Sequence, residues 1–463
     1  MLAQLAEAVG TGRVSAVELV TTALERVERL DPALNAVTAV FPERALAAAR
    51  EVDAGGADGP LAGLPLLVKD NTDAEGLVTN FGSRTMLERP PAQRSEISVE
   101  RLVAAGAVVV GRTNVPEFAF QGWTANDVFG ATGNPWAPEW SPGGSSGGSG
   151  AALAAGMAPL ATGTDGGGSI RTPAAFCGLV GLKPTAGAIG RRPIPSWLEV
   201  STQGPLATSV ADARLLFAIM RGPVEGDPTA APMWGDRDDL PTRVIAVDRT
   251  WDFGPLPEDV ATPFHAALEA IDRDLGLPVE VIEPAELWPT AIANGGNPGM
   301  DWYVTVTVEE LHFLGRAFVQ EHLEDFSDAF RGEMEHALAF TVEDYLRARH
   351  RRFDYALDLD RLLGEDTVLV CPAHGHAGWL ADGTLPGTSR PCGSEGYNTG
   401  EFNLSGHPSL ALPAGVATNG VPFGFLVNGP RWRDDLVLAL GAAWERARPW
   451  PAVAPGYEPF PGA

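Results

Sequence analysis

Short, wholly apolar runs bounded by glycine or proline, with helical patterns between them, constrain this chain more than any other feature. Gly63-Leu64-Pro65-Leu66-Leu67-Val68, ending at Lys69, reads within residues 61–69 as a buried strand, and Gly106 to Gly111 reads as another. Ser98 to Ala105, between them, reads as a helix. Near the N-terminus Ser15 and Glu18 have capping-box spacing, and Val17, Leu19, Val20, Leu24 and Val27 recur with helical periodicity. Further strands are expected at 242–248 and 366–371. Apolar runs at Leu410-Ala411-Leu412-Pro413 and Gly424-Phe425-Leu426-Val427 then lead into a helix over 434–447. The alternation predicts an α/β fold. No internal repeat is evident. The Pro/Gly-rich stretch 222–242 is expected to be a surface excursion within one domain spanning 1–463, because strand-like segments lie on both sides of it.

Of 33 Lys and Arg residues only two are lysines, Lys69 and Lys183. Arginine cannot lose its proton at ordinary pH, whereas a lysine at the end of a buried strand is pushed toward its neutral, basic form by desolvation. The plainer alternatives for Lys69 are snorkelling to solvent or pairing with Asp70. The net charge of −26 argues against nucleic acid or an anionic membrane as partner. One basic cluster, Arg347 to Arg352 with His350, reads as a solvated helix face. Cys177, Cys371 and Cys392 have no paired spacing, which fits a reducing compartment, and the expected location is cytoplasmic. The Ala/Gly-rich stretch 150–163 is too short to span a bilayer.

Two glycine-serine stretches carry the chemistry: Pro142-Gly143-Gly144-Ser145-Ser146-Gly147-Gly148-Ser149-Gly150 and Gly163-Thr164-Asp165-Gly166-Gly167-Gly168-Ser169-Ile170-Arg171. A flexible linker does not fit the first, since an Ala-rich helix pattern follows immediately. A phosphate loop would need a lysine that is not there, and Pro135, Pro138 and Pro142 disfavour the strand that a dinucleotide fingerprint requires. A nucleophile elbow at Gly143-Gly144-Ser145-Ser146-Gly147, using His374, His376 or His407, stays open as a weaker reading. In the second stretch three residues without side chains precede a serine. Their N–H groups can converge beside its hydroxyl as an oxyanion hole, each donor contributing roughly 3 kcal/mol in a transition state. His374-Gly375-His376 lacks clustered partners, and no metal or cofactor is expected.

Taken in order, the Lys69 run, the Ser145 loop, the Ser169 loop and Gly181-Leu182-Lys183-Pro184-Thr185 resemble the amidase signature family. So do Phe129 to Trp136, Gln203-Gly204-Pro205 and Phe402-Asn403-Leu404-Ser405-Gly406-His407-Pro408, whereas 225–395 matches only in general character. The resemblance implies a single α/β/α sandwich around a large mixed sheet, and a Ser-cisSer-Lys triad. Ser169 is then the nucleophile, Ser145 the bridging serine after a cis peptide, and Lys69 the base. Gly166, Gly167 and Gly168 would form the oxyanion hole, with Ser146, Asp165 and Arg171 supporting it and Lys183 architectural. The resemblance further implies hydrolysis of an amide C–N bond, with a small aliphatic or aryl amide or an aminohexanoate-type oligomer as substrate. The amidase subunit of a tRNA-dependent amidotransferase is the alternative. Substrate contacts are expected from 285–395 and from around Trp123 to Asp127, with Trp123, Asn126 and Trp302 as candidates, although core packing serves each aromatic equally well. The expected partners are a small-molecule amide and water, with a homodimer as the assembly to consider.

Overall fold

The computed structural model describes residues 1–56, 59–198, 200–237, 239–249, 255–386 and 398–461. Its strands are β1 (Val37–Val40), β2 (Pro65–Lys69), β3 (Val108–Thr113), β4 (Ala125–Asn126), β5 (Gly130–Ala131), β6 (Leu160–Asp165) and β7 (Val180–Lys183). They continue with β8 (Thr202–Ala207), β9 (Arg243–Ala246), β10 (Val279–Val281), β11 (Thr367–Pro372), β12 (Ser409–Val416) and β13 (Pro422–Asn428). Among the described residues, eleven strands form one mixed sheet in the order β1-β3-β2-β6-β8-β7-β12-β13-β11-β9-β10, while β4 and β5 pair separately. Strands β3, β2 and β6 are parallel, as are β11, β9 and β10. Every pairing from β6 across to β11 is antiparallel.

The apolar runs divide between the two faces with the period of two that a pleated strand imposes. Leu66 and Val68 belong to one core cluster and Leu67 to the other; in β11, Val368 and Val370 oppose Leu369 and Cys371 in the same way. By this parity Lys69 shares the face of Leu67. The helix Gly147–Ala154 packs on that face, against β2, β3 and β6. Its glycines permit a close approach rather than flexibility: a Cβ on Gly148 would lie 2.4 Å from the Asn114 backbone nitrogen.

The expected elements recur with shifted ends. The capping box forms, with Ser15 Oγ accepting from Glu18 N, at the start of the helix Ala16–Leu30. The strand at 61–69 begins only at Pro65, because residues 61–64 turn, with Gly63 at φ +77. The next strand runs on to Thr113, since Arg112 and Thr113 stay buried beside β2. The described residues of 222–242 contain no helix or strand, and β8 and β9 on either side belong to the same sheet. No described helix is long and apolar enough to cross a membrane. Cys177 and Cys371 are buried free thiols, and Cys392 lies outside the described residues.

Candidate active site

Strand parity and helix packing bring the end of β2 under the turn that precedes Gly147. Lys69 is fully buried, and its Nζ lies 2.8 Å from Ser145 Oγ and 2.7 Å from Thr164 Oγ1. Burial pulls its pKa down from 10.5 to about 7, against the opposing fields of Asp165 and Glu96. Asp70 does not pair with it, because adjacent strand residues face opposite ways; the Asp70 carboxylate faces Arg112, 4.0 Å away. Lys183, the other lysine, is also buried and brought to about 7, by burial and then by Arg171; its Nζ donates to Pro184 O at 3.0 Å.

The Gly144–Ser145 peptide is cis. Glycine is required there, since a Cβ would sit 2.5 Å from Trp123 O and 2.6 Å from Gln121 O. Ser146 Oγ donates to Thr164 O at 3.4 Å, and Ser146 N donates to Ser169 O at 3.2 Å, so the two serine loops are tied to each other.

Asp165 ends β6 and organises the second loop. Its carboxylate accepts from Gly168 N (2.8 Å), Ile170 N (3.2 Å) and Arg171 Nη2 and Nε (2.8 and 2.9 Å). Burial alone would raise its pKa, but the Arg171 guanidinium and these hydrogen bonds outweigh that and hold it well below the carboxylate range. Asn403 completes the cluster, accepting from Arg171 Nη2 at 2.6 Å and donating to Asp165 and Val200. Of the three glycine N–H groups expected to converge, that of Gly168 is therefore committed to Asp165. Those of Gly166, Gly167 and Ser169 have no partner among the described residues.

Ser145 and Ser169 line one cavity of about 260 Å³. Its apolar wall includes Phe81, Phe118, Trp197 and Phe313, and its polar wall Asn71, Asp73, Glu96, Gln203 and Glu310. The cavity's two arginines already face carboxylates, Arg89 that of Asp73 and Arg191 that of Asp227. Glu96 is pushed up to about 8 by burial and by neighbouring Asp73, and accepts from Gln203 Nε2. Burial likewise raises Glu310 to about 7.

The three expected pocket residues are not on that wall. Trp123 packs with Phe176, Trp379 and Val421, because the chain folds its ring under Gly383. Asn126 is spent on structure, its Nδ2 donating to Asn114 Oδ1 and Val115 O and its Oδ1 accepting from Val128 N and Phe129 N. Trp302 lies behind the Ser169 loop, where its Nε1 donates to Gly166 O at 2.7 Å. His374 and His376 pack among Phe176 and Trp379. Sequence reasoning missed Thr164 and Glu96. Thr164 was within reach of it, since Thr162 and Thr164 share a strand face and both meet Lys69, one at its backbone N and one at Nζ. Glu96 carried no signal, because it enters the cavity from the start of a remote helix, Ile97–Ala104.

A family profile described as Amidase matches residues 18–438, and the chain belongs to the amidase signature family. An acylamidase of Rhodococcus erythropolis is 32% identical over 96% of this chain and 95% of its own length. A glutamyl-tRNA(Gln) amidotransferase subunit from Cyanothece sp. is 34% identical over 94% of this chain and 95% of its own. The solved structure of a 6-aminohexanoate cyclic dimer hydrolase superposes with a TM-score of 0.85 at 29% identity, covering 98% of each chain. The protein is an amide-hydrolysing enzyme with the mixed α/β fold of that family.

Proposed function

We propose that the enzyme hydrolyses a small acyl or aryl amide by serine acyl transfer, with Ser169 as nucleophile, Ser145 as proton bridge and Lys69 as base. One observation carries this reading: a fully buried lysine, brought to about 7, lies 2.8 Å from a serine that shares its cavity with a second serine. In its neutral form Lys69 Nζ accepts the Ser145 proton while Ser145 Oγ takes that of Ser169. Ser169 Oγ bonds to the carbonyl carbon, and the carbonyl oxygen becomes an oxyanion facing free N–H groups of the loop. The C–N bond then breaks, the proton runs back through Ser145 to the leaving amine, and water releases the acyl group by the same relay. Water is the only co-reactant, and the scheme calls on no metal or cofactor.

The aromatic wall supports an aryl or short alkyl group, as does the similarity to an acylamidase and to an aminohexanoate hydrolase. Testing the purified chain against anilides, linear and cyclic aminohexanoate oligomers and glutamine is the direct assay, with fluorophosphonate labelling of Ser169 alongside. Turnover of an anilide or oligomer with labelling at Ser169 is the expected result; labelling elsewhere, or none, rejects the assignment. Similarity to the amidotransferase protein favours one second reading, ammonia release from glutamine. Glutamine cleavage that appears only with partner proteins, without turnover of simple amides, would select it.

A further inference from the structure

The peptide planes of the Ser169 loop are tied down at successive carbonyls. Gly166 O accepts from Trp302 Nε1 at 2.7 Å, Gly167 O from Thr399 Oγ1 at 2.5 Å, and Gly168 O from Thr172 N at 2.7 Å. In a trans peptide the N–H points opposite to the carbonyl of the same plane, so fixing each oxygen aims the next residue's N–H. The Gly167 carbonyl is held by Thr399, and the matching Gly168 N–H goes to Asp165 at 2.8 Å. The Gly166 carbonyl is held by Trp302, and the matching Gly167 N–H has no partner among the described residues.

Packing reinforces the tie. A Cβ on Gly167 would lie 2.3 Å from the Trp302 ring, and one on Gly166 would lie 2.2 Å from the Trp197 ring. The two indoles meet edge to face at 6.1 Å and 86°. Trp302 also covers Gly400, beside Thr399, so the two side-chain ties are mutually braced. Trp302 comes from the helix Pro298–Leu314, in the part of the chain with only general resemblance to the family, and it is not on the cavity wall.

We propose that Trp302 is a positioning residue for the reaction: its indole N–H fixes the Gly166–Gly167 peptide so that Gly167 N–H is aimed at the developing oxyanion. Trp302 touches no reacting atom in this role, and its contribution is felt when the carbonyl oxygen gains charge rather than when substrate binds. The inference rests on Ser169 being the nucleophile.

The test uses the full chain, an amide that it turns over, and a trifluoromethyl ketone analogue of that amide, whose adduct with Ser169 carries the oxyanion. Trp302→Phe keeps an aromatic ring and removes the donor. The expected result is a fall in kcat of about 10-fold with KM within about twofold. The inhibition constant of the ketone should rise by the same factor, while the midpoint of the pH–rate profile stays in place. A role in packing alone would not move the ketone constant in step with kcat. Should Trp302→Phe fail to fold, replacing Trp302 with benzothienylalanine, which has the same shape without the N–H, reads the same quantities. Unchanged kcat and ketone affinity, or a rise in KM alone, overturns the proposal. If the wild-type enzyme takes up neither fluorophosphonate nor ketone at Ser169, it is the nucleophile assignment that has failed, not the role of Trp302.

Discussion

The stretch from β2 to β8 and the helical segment from Pro289 to Leu363 both reach the Ser169 loop, but they bring different things to it. The first supplies Lys69, Ser145, Thr164, Asp165 and Ser169 from strand ends and from a loop whose glycines admit close backbone contact. The second supplies Glu310 and Phe313 to the cavity wall and Trp302 behind the loop. The proposed reacting groups thus come from strand ends and glycine loops of the first region, which also supplies most of the cavity wall, while the helical segment closes one part of that wall and backs the loop. Substitutions of the proposed reacting groups should therefore act on kcat and those of helical residues on the cavity wall on KM, while Trp302, behind the loop, is expected to act on kcat.

The sharpest test of that division is Lys69→Arg. It keeps a cation but removes the group that can act as a neutral base, and kcat/KM should fall by about 10³-fold or more, with the fold verified by circular dichroism. In the unmodified enzyme the rate should climb as pH rises through about 7, where Lys69 gives up its proton. A flat profile between pH 6 and 8 would remove the base assignment. Asp165→Asn should come next, lowering kcat by about 10²-fold and reducing thermal stability, since Arg171 would be left buried without its counter-charge. Full activity in that variant would mean that the loop holds its shape without the ion pair.

Lys183→Met should affect stability rather than rate. Lys183 is held at about 7 in the folded state against an ordinary value of 10.5. Between those values the unfolded chain binds the extra proton, so this group makes the fold more stable as pH rises from about 7 to 10.5. Replacing it should flatten the climb of Tm over that window, and an unaltered Tm-against-pH curve would place the linkage elsewhere. The smallest effect is expected from Phe313→Ala, whose half-exposed ring lies on the cavity wall: a change in KM of about threefold with kcat retained. A fall in kcat larger than the change in KM would break the division of labour between the proposed reacting groups and the cavity wall.

Legibility in the sequence followed the range of the interactions involved. The scarcity of lysine marked Lys69 and the Gly-Gly-Gly-Ser string marked Ser169, while the family resemblance pointed to Ser145, Asp165 and Arg171; the structure brings all five into one cluster around the two serine loops. The C-terminal stretch around Asn403 was visible as a resemblance, and its contact with Asp165 and Arg171 supplies the physical reason. The pocket candidates were a different matter. Trp123, Asn126 and Trp302 are residue types that serve a core, a turn or a ligand equally well, and only their neighbours distinguish the cases.

By itself, the sequence determined which side chains are available for chemistry and that Lys69 shares its side of the strand with Leu67, because strand parity is a local rule. Tertiary structure alone decided that Glu96 and Glu310 border the cavity. It also set a tryptophan 136 positions downstream against the Gly166 carbonyl. These are contacts between segments distant in sequence, fixed by how helices and loops pack on the sheet, and no spacing within the chain encodes them.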